Sequence, residues 1–150
     1  MINFDRITKS LYIGSYPQTP PDIDRLRDGV RITAVVNLQS DVDMHSLRVN
    51  WKQLEKHYTQ RDMVVYRHPI KDFDPNDLKK HLRGAVAKVG ELETVGHRIY
   101  IHCTAGVGRA PAVVIGHLVW NLGWALDSAY EFVREQRSCD PYIEAIRDAE

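Results

Sequence analysis

The stretch His102-Cys103-Thr104-Ala105-Gly106-Val107-Gly108-Arg109-Ala110-Pro111 decides how this chain is read. A strand-like segment, Arg98 to His102, enters it, and an apolar helical segment, Pro111 to Leu122, leaves it. The loop between them lies at a helix amino terminus, where free backbone amides and the helix dipole favour an anion. Gly106 and Gly108 permit left-handed steps, so that successive N–H groups can converge on one oxyanion. Arg109 adds a planar fork that can grip two oxygens at once. Thr104, Ala105, Gly106, Val107, Gly108 and Arg109 are thus the candidate phosphate-binding residues. Cys103 stands at the mouth of this cradle, where the same positive field favours thiolate over thiol and creates a nucleophile aimed at a bound phosphorus. A lone cysteine beside a glycine turn is usually a buried thiol. Strand, cysteine, spaced glycines, arginine and helix together supply the chemical roles of a catalytic site. No Gly-Lys-Ser/Thr triplet follows the glycines, so this is not a Walker-type phosphate loop.

A thiolate that attacks a phosphate monoester must expel an alkoxide, a poor leaving group, and a positioned acid would protonate it. Asp72 and Asp74 stand in the loop that follows the strand-like segment Met63 to Tyr66. Asp74 precedes Pro75 and a helical pattern, so it is expected to cap that helix. Asp72 is then free to act as the general acid. Asp41 and Asp43 are weaker rivals and read as a solvated loop face. In the resulting scheme Cys103 attacks phosphorus, while Arg109 and the loop amides stabilise the equatorial oxygens. Asp72 protonates the leaving oxygen and then serves as base when water hydrolyses the phosphocysteine. The scheme calls for no metal and no cofactor, and the seven histidines show no convincing ligand spacing. His102 is expected to order the strand end.

The 150 residues suffice for a single catalytic domain, 1–150, and not for two. Lys+Arg and Asp+Glu both number 20, so nothing suggests steering to nucleic acid or to an anionic membrane. No apolar run is long enough to span a bilayer, and the amino terminus has no apolar signal core. Two cysteines, one of them the candidate nucleophile, fit a reducing compartment better than a disulfide framework. A disulfide between Cys103 and Cys139 stays open as a regulatory alternative. A cytoplasmic monomer is expected, or a plastid protein if a transit peptide has been removed.

Along the chain, strands are expected at Ile2 to Ile7, Leu11 to Gly14, Ile32 to Leu38, Met63 to Tyr66 and Arg98 to His102. Helices are expected from Pro20 to Arg27, Ser46 to Tyr58, after Pro75, and over Pro111–Leu122, Leu126–Gln136 and Pro141–Ala149. Asp140-Pro141 reads as a cap followed by proline at the first helical position. Gln39 to His45 reads as a polar loop. Alternation of strands and helices gives an α/β fold with a mainly parallel sheet flanked by helices. Ligands in such sheets bind at strand carboxyl ends, where His102-Cys103 falls.

With these residues in view, the chain resembles the cysteine-dependent dual-specificity phosphatases over nearly its whole length. His102-Cys103-x5-Arg109 resembles their signature loop, Asp72 falls where their general-acid loop lies, and Leu126, Ala129-Tyr130 and Val133 resemble the helix after the signature. The resemblance implies a central mixed, mostly parallel sheet flanked by helices. Gly14-Ser15-Tyr16-Pro17-Gln18, Pro21-Asp22-Ile23-Asp24, Asn37-Leu38-Gln39, Lys71-Asp72-Phe73-Asp74-Pro75, Gly108-Arg109-Ala110-Pro111 and Ala145-Ile146-Arg147 resemble the plant and algal glucan phosphatases more narrowly. That branch implies a phosphorylated, starch-like glucan as substrate, with Phe73 beside the active site. Most of the wider family carries Ser or Thr after the signature arginine, and Ala110 departs from it as the glucan branch does.

Sugars bind through aromatic faces, and Phe73, Tyr12, Tyr16 and Trp51 fall in segments that could border the cleft; core packing is the competing role of each. The cradle holds one arginine and no lysine, which weighs against polyphosphoinositides. The 150 residues leave no room for the separate carbohydrate-binding module the resemblance implies, so glucan affinity is expected from the catalytic surface or another chain. Two rivals keep the same residues: action on phosphoproteins, and a silent phosphate-binding module.

Overall fold

The central strand of the sheet carries the sequence that decides the site. In a computed structural model, which describes residues 1–149, the strands are β1 (Phe4–Arg6), β2 (Leu11–Gly14), β3 (Ala34–Asn37), β4 (Val64–Arg67) and β5 (Ile99–His102). Their order is β1-β2-β5-β3-β4, with β1 antiparallel to β2 and the other pairs parallel. The sheet is thus mixed and mostly parallel, and β5 lies between β2 and β3. Gly14, Asn37 and His102 share a register, so three strands end together beneath the cradle.

Side-chain alternation along each strand builds two cores. Leu11, Ile13, Ala34, Val36, Ile99 and Ile101 face one side, against α4 (Pro75–Val95), α5 (Arg109–Gly116), α6 (Leu126–Gln136) and α7 (Ile143–Asp148). Tyr12, Val35 and Tyr100 face the other, against α1 (Pro20–Asp24) and α3 (Trp51–Gln60). Each Ile or Leu fully buried here stabilises the fold by about 1.5–3 kcal/mol over leaving it in water. No helix among the described residues is long and apolar enough to cross a membrane.

Several boundaries differ from the sequence expectation for local reasons. Gln39 to His45 is not a polar loop: α2 (Asp41–Ser46) forms there. Ser40 and Asp43 make a reciprocal capping box, with Asp43 N–H donating to Ser40 Oγ at 3.1 Å and Ser40 N–H to Asp43 Oδ2 at 3.0 Å. The next helix starts only at Trp51, capped by Asn50, rather than at Ser46. Residues Arg25–Gly29 and His117–Asn121 form wider π-type turns that continue α1 and α5. Helix α5 begins at Arg109, two residues before Pro111. The last helix begins at Ile143, with Tyr142 rather than Asp140 at its cap.

Candidate active site

The orientation of one loop's peptide groups explains what the site can hold. Every carbonyl from Cys103 to Gly108 meets a donor outside the cradle. Cys103 O accepts from His102 Nδ1–H at 2.9 Å, and Thr104 O from Tyr16 N–H at 3.0 Å. Ala105 O and Gly106 O both accept from Arg137, at 3.0 and 2.8 Å. Val107 O accepts from Asp140 N–H at 2.8 Å, and Gly108 O from Ala112 N–H at 3.2 Å. In a planar trans peptide the following N–H points opposite to the carbonyl. Six outward carbonyls therefore turn the amides of Thr104 through Arg109 toward the cavity. Such a converging set of donors at the amino end of α5 has the geometry to receive an oxyanion.

Two glycines allow the loop to curl this tightly. Gly106 has φ +72°, and a Cβ there would lie 2.5 Å from Gly14 O. A Cβ on Gly14 would in turn meet Asn3 O at 2.5 Å. The backbones of β2 and the loop pass with no space for a side chain between them.

Cys103 is 3% exposed and lies in the wall of a cavity of about 670 Å³, with Thr104, Ala105, Val107, Gly108 and Arg109 beside it. Gly106 is not part of that wall; it sits behind it against Gly14 and Arg137. His102 is fully buried, and burial pushes its imidazole down to about 4, so it is neutral and its Nδ1–H is fixed on Cys103 O.

The Arg109 guanidinium is held edge by edge. Nη1 donates to Asp43 Oδ2 at 2.6 Å and to Ile70 O at 2.8 Å, while Nη2 reaches Thr104 Oγ1 at 3.4 Å. Nε is buried and has no partner among the described residues. The Nε–Nη2 edge is the one an anion's oxygens can occupy, because the opposite edge is already taken. Asp43 is thus no solvated loop acid. Burial alone would raise its carboxyl, but the bonds from Arg109 and Ser40 outweigh that and hold it below the usual carboxylate range. The signal in the sequence was Ser40-x-x-Asp43, which has the spacing of a capping box.

Asp72 lies at the mouth. Its Oδ2 stands 3.4 Å from Arg109 Nη2, its Oδ1 accepts from Phe73 N–H at 3.1 Å, and its side chain is about a third exposed. Asp74 caps α4 through Asp77 N–H at 3.0 Å, as expected. Asp77 closes the loop from the other side by accepting from Lys71 N–H at 2.8 Å.

The four aromatic candidates part company. Phe73 lines the cavity, is 97% exposed, and holds a left-handed backbone at φ +54°. Tyr12 does not belong to the site. Alternation along β2 turns it into the core under α1 and α3, where its hydroxyl accepts from Arg98 at 2.6 Å. Trp51 packs on Tyr58 with Arg67 over its ring, away from the cavity wall. Tyr16 touches the cradle through its backbone N–H, and its side chain is likewise outside the wall. Two residues not assigned to the site from the sequence take their place: Tyr142, 54% exposed, and Asp140, read there as a helix cap, both line the cavity. Trp124 packs edge-on against Phe132.

Comparison with known proteins agrees with this geometry. Residues 11–144 match the family model "Dual specificity phosphatase, catalytic domain". The chain is 37% identical to the amyloplastic phosphoglucan phosphatase DSP4 of Castanea sativa, over 99% of this chain and 40% of that protein. It is 31% identical to the chloroplastic phosphoglucan phosphatase LSF1 of Arabidopsis thaliana, over 97% of this chain and 24% of that protein. The chain therefore spans less than half the length of these two relatives. The crystal structure of PTPMT1 superposes with a TM-score of 0.78 at 19% identity, covering 98% of this chain and 93% of that one, which speaks to the fold alone. A mixed sheet ending in a Cys-x5-Arg loop, matched over residues 11–144, makes this chain a member of the dual specificity phosphatase catalytic-domain family, of the cysteine-dependent phosphomonoesterase type.

Proposed function

We propose that the chain removes phosphate from a starch-like glucan through a phosphocysteine intermediate. Cys103 attacks phosphorus while the amides of Thr104 to Arg109 and the open edge of Arg109 hold the equatorial oxygens. As the phosphate takes that edge, Asp72 is released from Arg109, takes up a proton from solvent and delivers it to the departing sugar oxygen. Water then enters, Asp72 takes its proton, and the P–S bond breaks to return the Cys103 thiolate and inorganic phosphate. Ala110 offers no hydroxyl to assist departure of that thiolate, so breakdown of the phosphoenzyme is expected to be the slow step.

One observation carries the choice of glucan. Phe73 is 97% exposed at the cavity mouth in a backbone conformation that costs a non-glycine residue about 1–2 kcal/mol. An aromatic face held out of the core at such a cost suits stacking on a sugar ring. The similarity to two phosphoglucan phosphatases over nearly the whole chain supports the same reading, and their amyloplast and chloroplast names favour a plastid setting. The test is phosphate release from phosphorylated amylopectin, a phosphopeptide and a phosphoinositide at equal phosphate concentration. Amylopectin is expected to be the best of the three. A wide preference for the peptide or the lipid overturns the glucan assignment and leaves the phosphatase reading standing.

A further inference from the structure

We propose that Arg137 is a positioning residue of the phosphate cradle, and that Asn3, just before β1, and Asp5, within it, aim it. The inference rests on the reading of the loop as an oxyanion receptor and adds what keeps that receptor in shape.

Arg137 follows α6 and is 6% exposed. Its Nε donates to Gly106 O at 2.8 Å and its Nη2 to Ala105 O at 3.0 Å. The same guanidinium donates to Asn3 Oδ1 from Nη2 at 2.7 Å and to Asp5 Oδ2 from Nη1 at 3.0 Å. Two neighbouring carbonyls thus meet one charged donor group, and the peptides concerned are those whose N–H groups belong to Gly106 and Val107. Those two amides sit at the middle of the cradle, so Arg137 sets the direction of its central donors. The loop cannot supply that direction alone, because Gly106 is the residue with the widest choice of backbone conformation. A guanidinium suits the task better than an ammonium. Its fork reaches two carbonyls along one edge while the other end is pinned by a carboxylate and an amide oxygen. The nearby rear contacts act on other peptides: Tyr16 N–H holds Thr104 O, and Asp140 N–H holds Val107 O.

The prediction concerns anion affinity and thiolate formation, beyond thermal stability. Both are read on the full chain with orthovanadate as the probe and with iodoacetate alkylation of Cys103 followed across pH. In Arg137→Met, vanadate inhibition should weaken by about tenfold or more, and the alkylation profile should move to higher pH. Arg137→Lys, which keeps the charge and one donor, should recover part of both. Asn3→Ala combined with Asp5→Asn leaves Arg137 in place but unaimed, and should weaken vanadate by several-fold. That double variant also carries the test if Arg137→Met fails to fold. Lowered melting temperatures with unchanged vanadate inhibition and an unchanged alkylation profile in the folded variants would overturn the proposal. A wild-type chain that neither binds vanadate nor alkylates as a thiolate would instead overturn the phosphatase reading itself.

Discussion

Two loops meet over the cavity, and they are built in opposite ways. The loop from Cys103 to Gly108 is tied at every carbonyl, by partners from the end of β5, the segment after β2, α5 and the segment after α6. The loop from Lys71 to Asp74 is tied at its ends, by Asp77 and by the cap on α4, and holds its middle out in water. In the proposed reaction the first faces the phosphoryl group, whose charge and shape are the same in every monoester, so fixed donors gain from being preorganised. In the same proposal the second faces the leaving group, which differs from substrate to substrate. Rigidity is spent where the chemistry is constant, and latitude is kept where the substrate body varies.

The largest effect is expected at the sulfur. Cys103→Ser should lower turnover of an aryl phosphate by on the order of 10⁴-fold or more while leaving vanadate binding measurable. Retained turnover would mean that the tied loop is a binding site only. Next in size is Asp72→Asn. With an alkyl or sugar phosphate, kcat/KM should fall by about 10²–10³-fold, and with an activated aryl phosphate by much less. Equal losses on both would remove Asp72 from proton transfer.

Acid should attack the tied loop before the open one. The unfolded chain protonates His102 near 6.5, whereas burial holds the folded side chain down to about 4. Stability from this group is therefore full above 6.5 and drains away as pH falls toward 4, by up to about 3 kcal/mol. Urea unfolding across that range should show the loss, and His102→Asn should flatten it; an unchanged slope would show that the buried imidazole is not responsible. The smallest effect is expected at the open loop. Phe73→Asn relieves the left-handed strain, so the melting temperature should hold or rise. Activity on phosphorylated amylopectin should drop by roughly tenfold while aryl phosphate turnover stays within about twofold. Equal effects on the two substrates would deny the aromatic ring any part in recognising the polymer.

How much of this was legible in the sequence follows the same division. That Cys103, Arg109 and Asp72 share one cavity could be anticipated because the flanking strand and helix patterns fix where they fall. Sheet class and the boundaries of β2 and α6 follow from periodicity alone. What failed to show were contacts that join distant parts of the chain. Asp43 meets Arg109 across 66 positions, and Arg137 meets Asn3 across 134. No local spacing announces either. Tyr12 misled because β2 is buried on both faces, so an aromatic residue there carries no mark of which side it joins. Tyr142 was missed because the Asp140-Pro141 pair reads as a helix cap, whereas the helix starts at Ile143 and the two flanking side chains line the cavity.

The span from Asn3 to Arg137 also sets a timetable for synthesis. Synthesis runs from the amino end, so Cys103 and Arg109 emerge well before the Arg137 guanidinium that meets the two carbonyls behind them. An immature polypeptide that already displays the whole signature would still lack its brace. Hydrolytic competence should switch on only once Arg137 has left the ribosome and met Asn3.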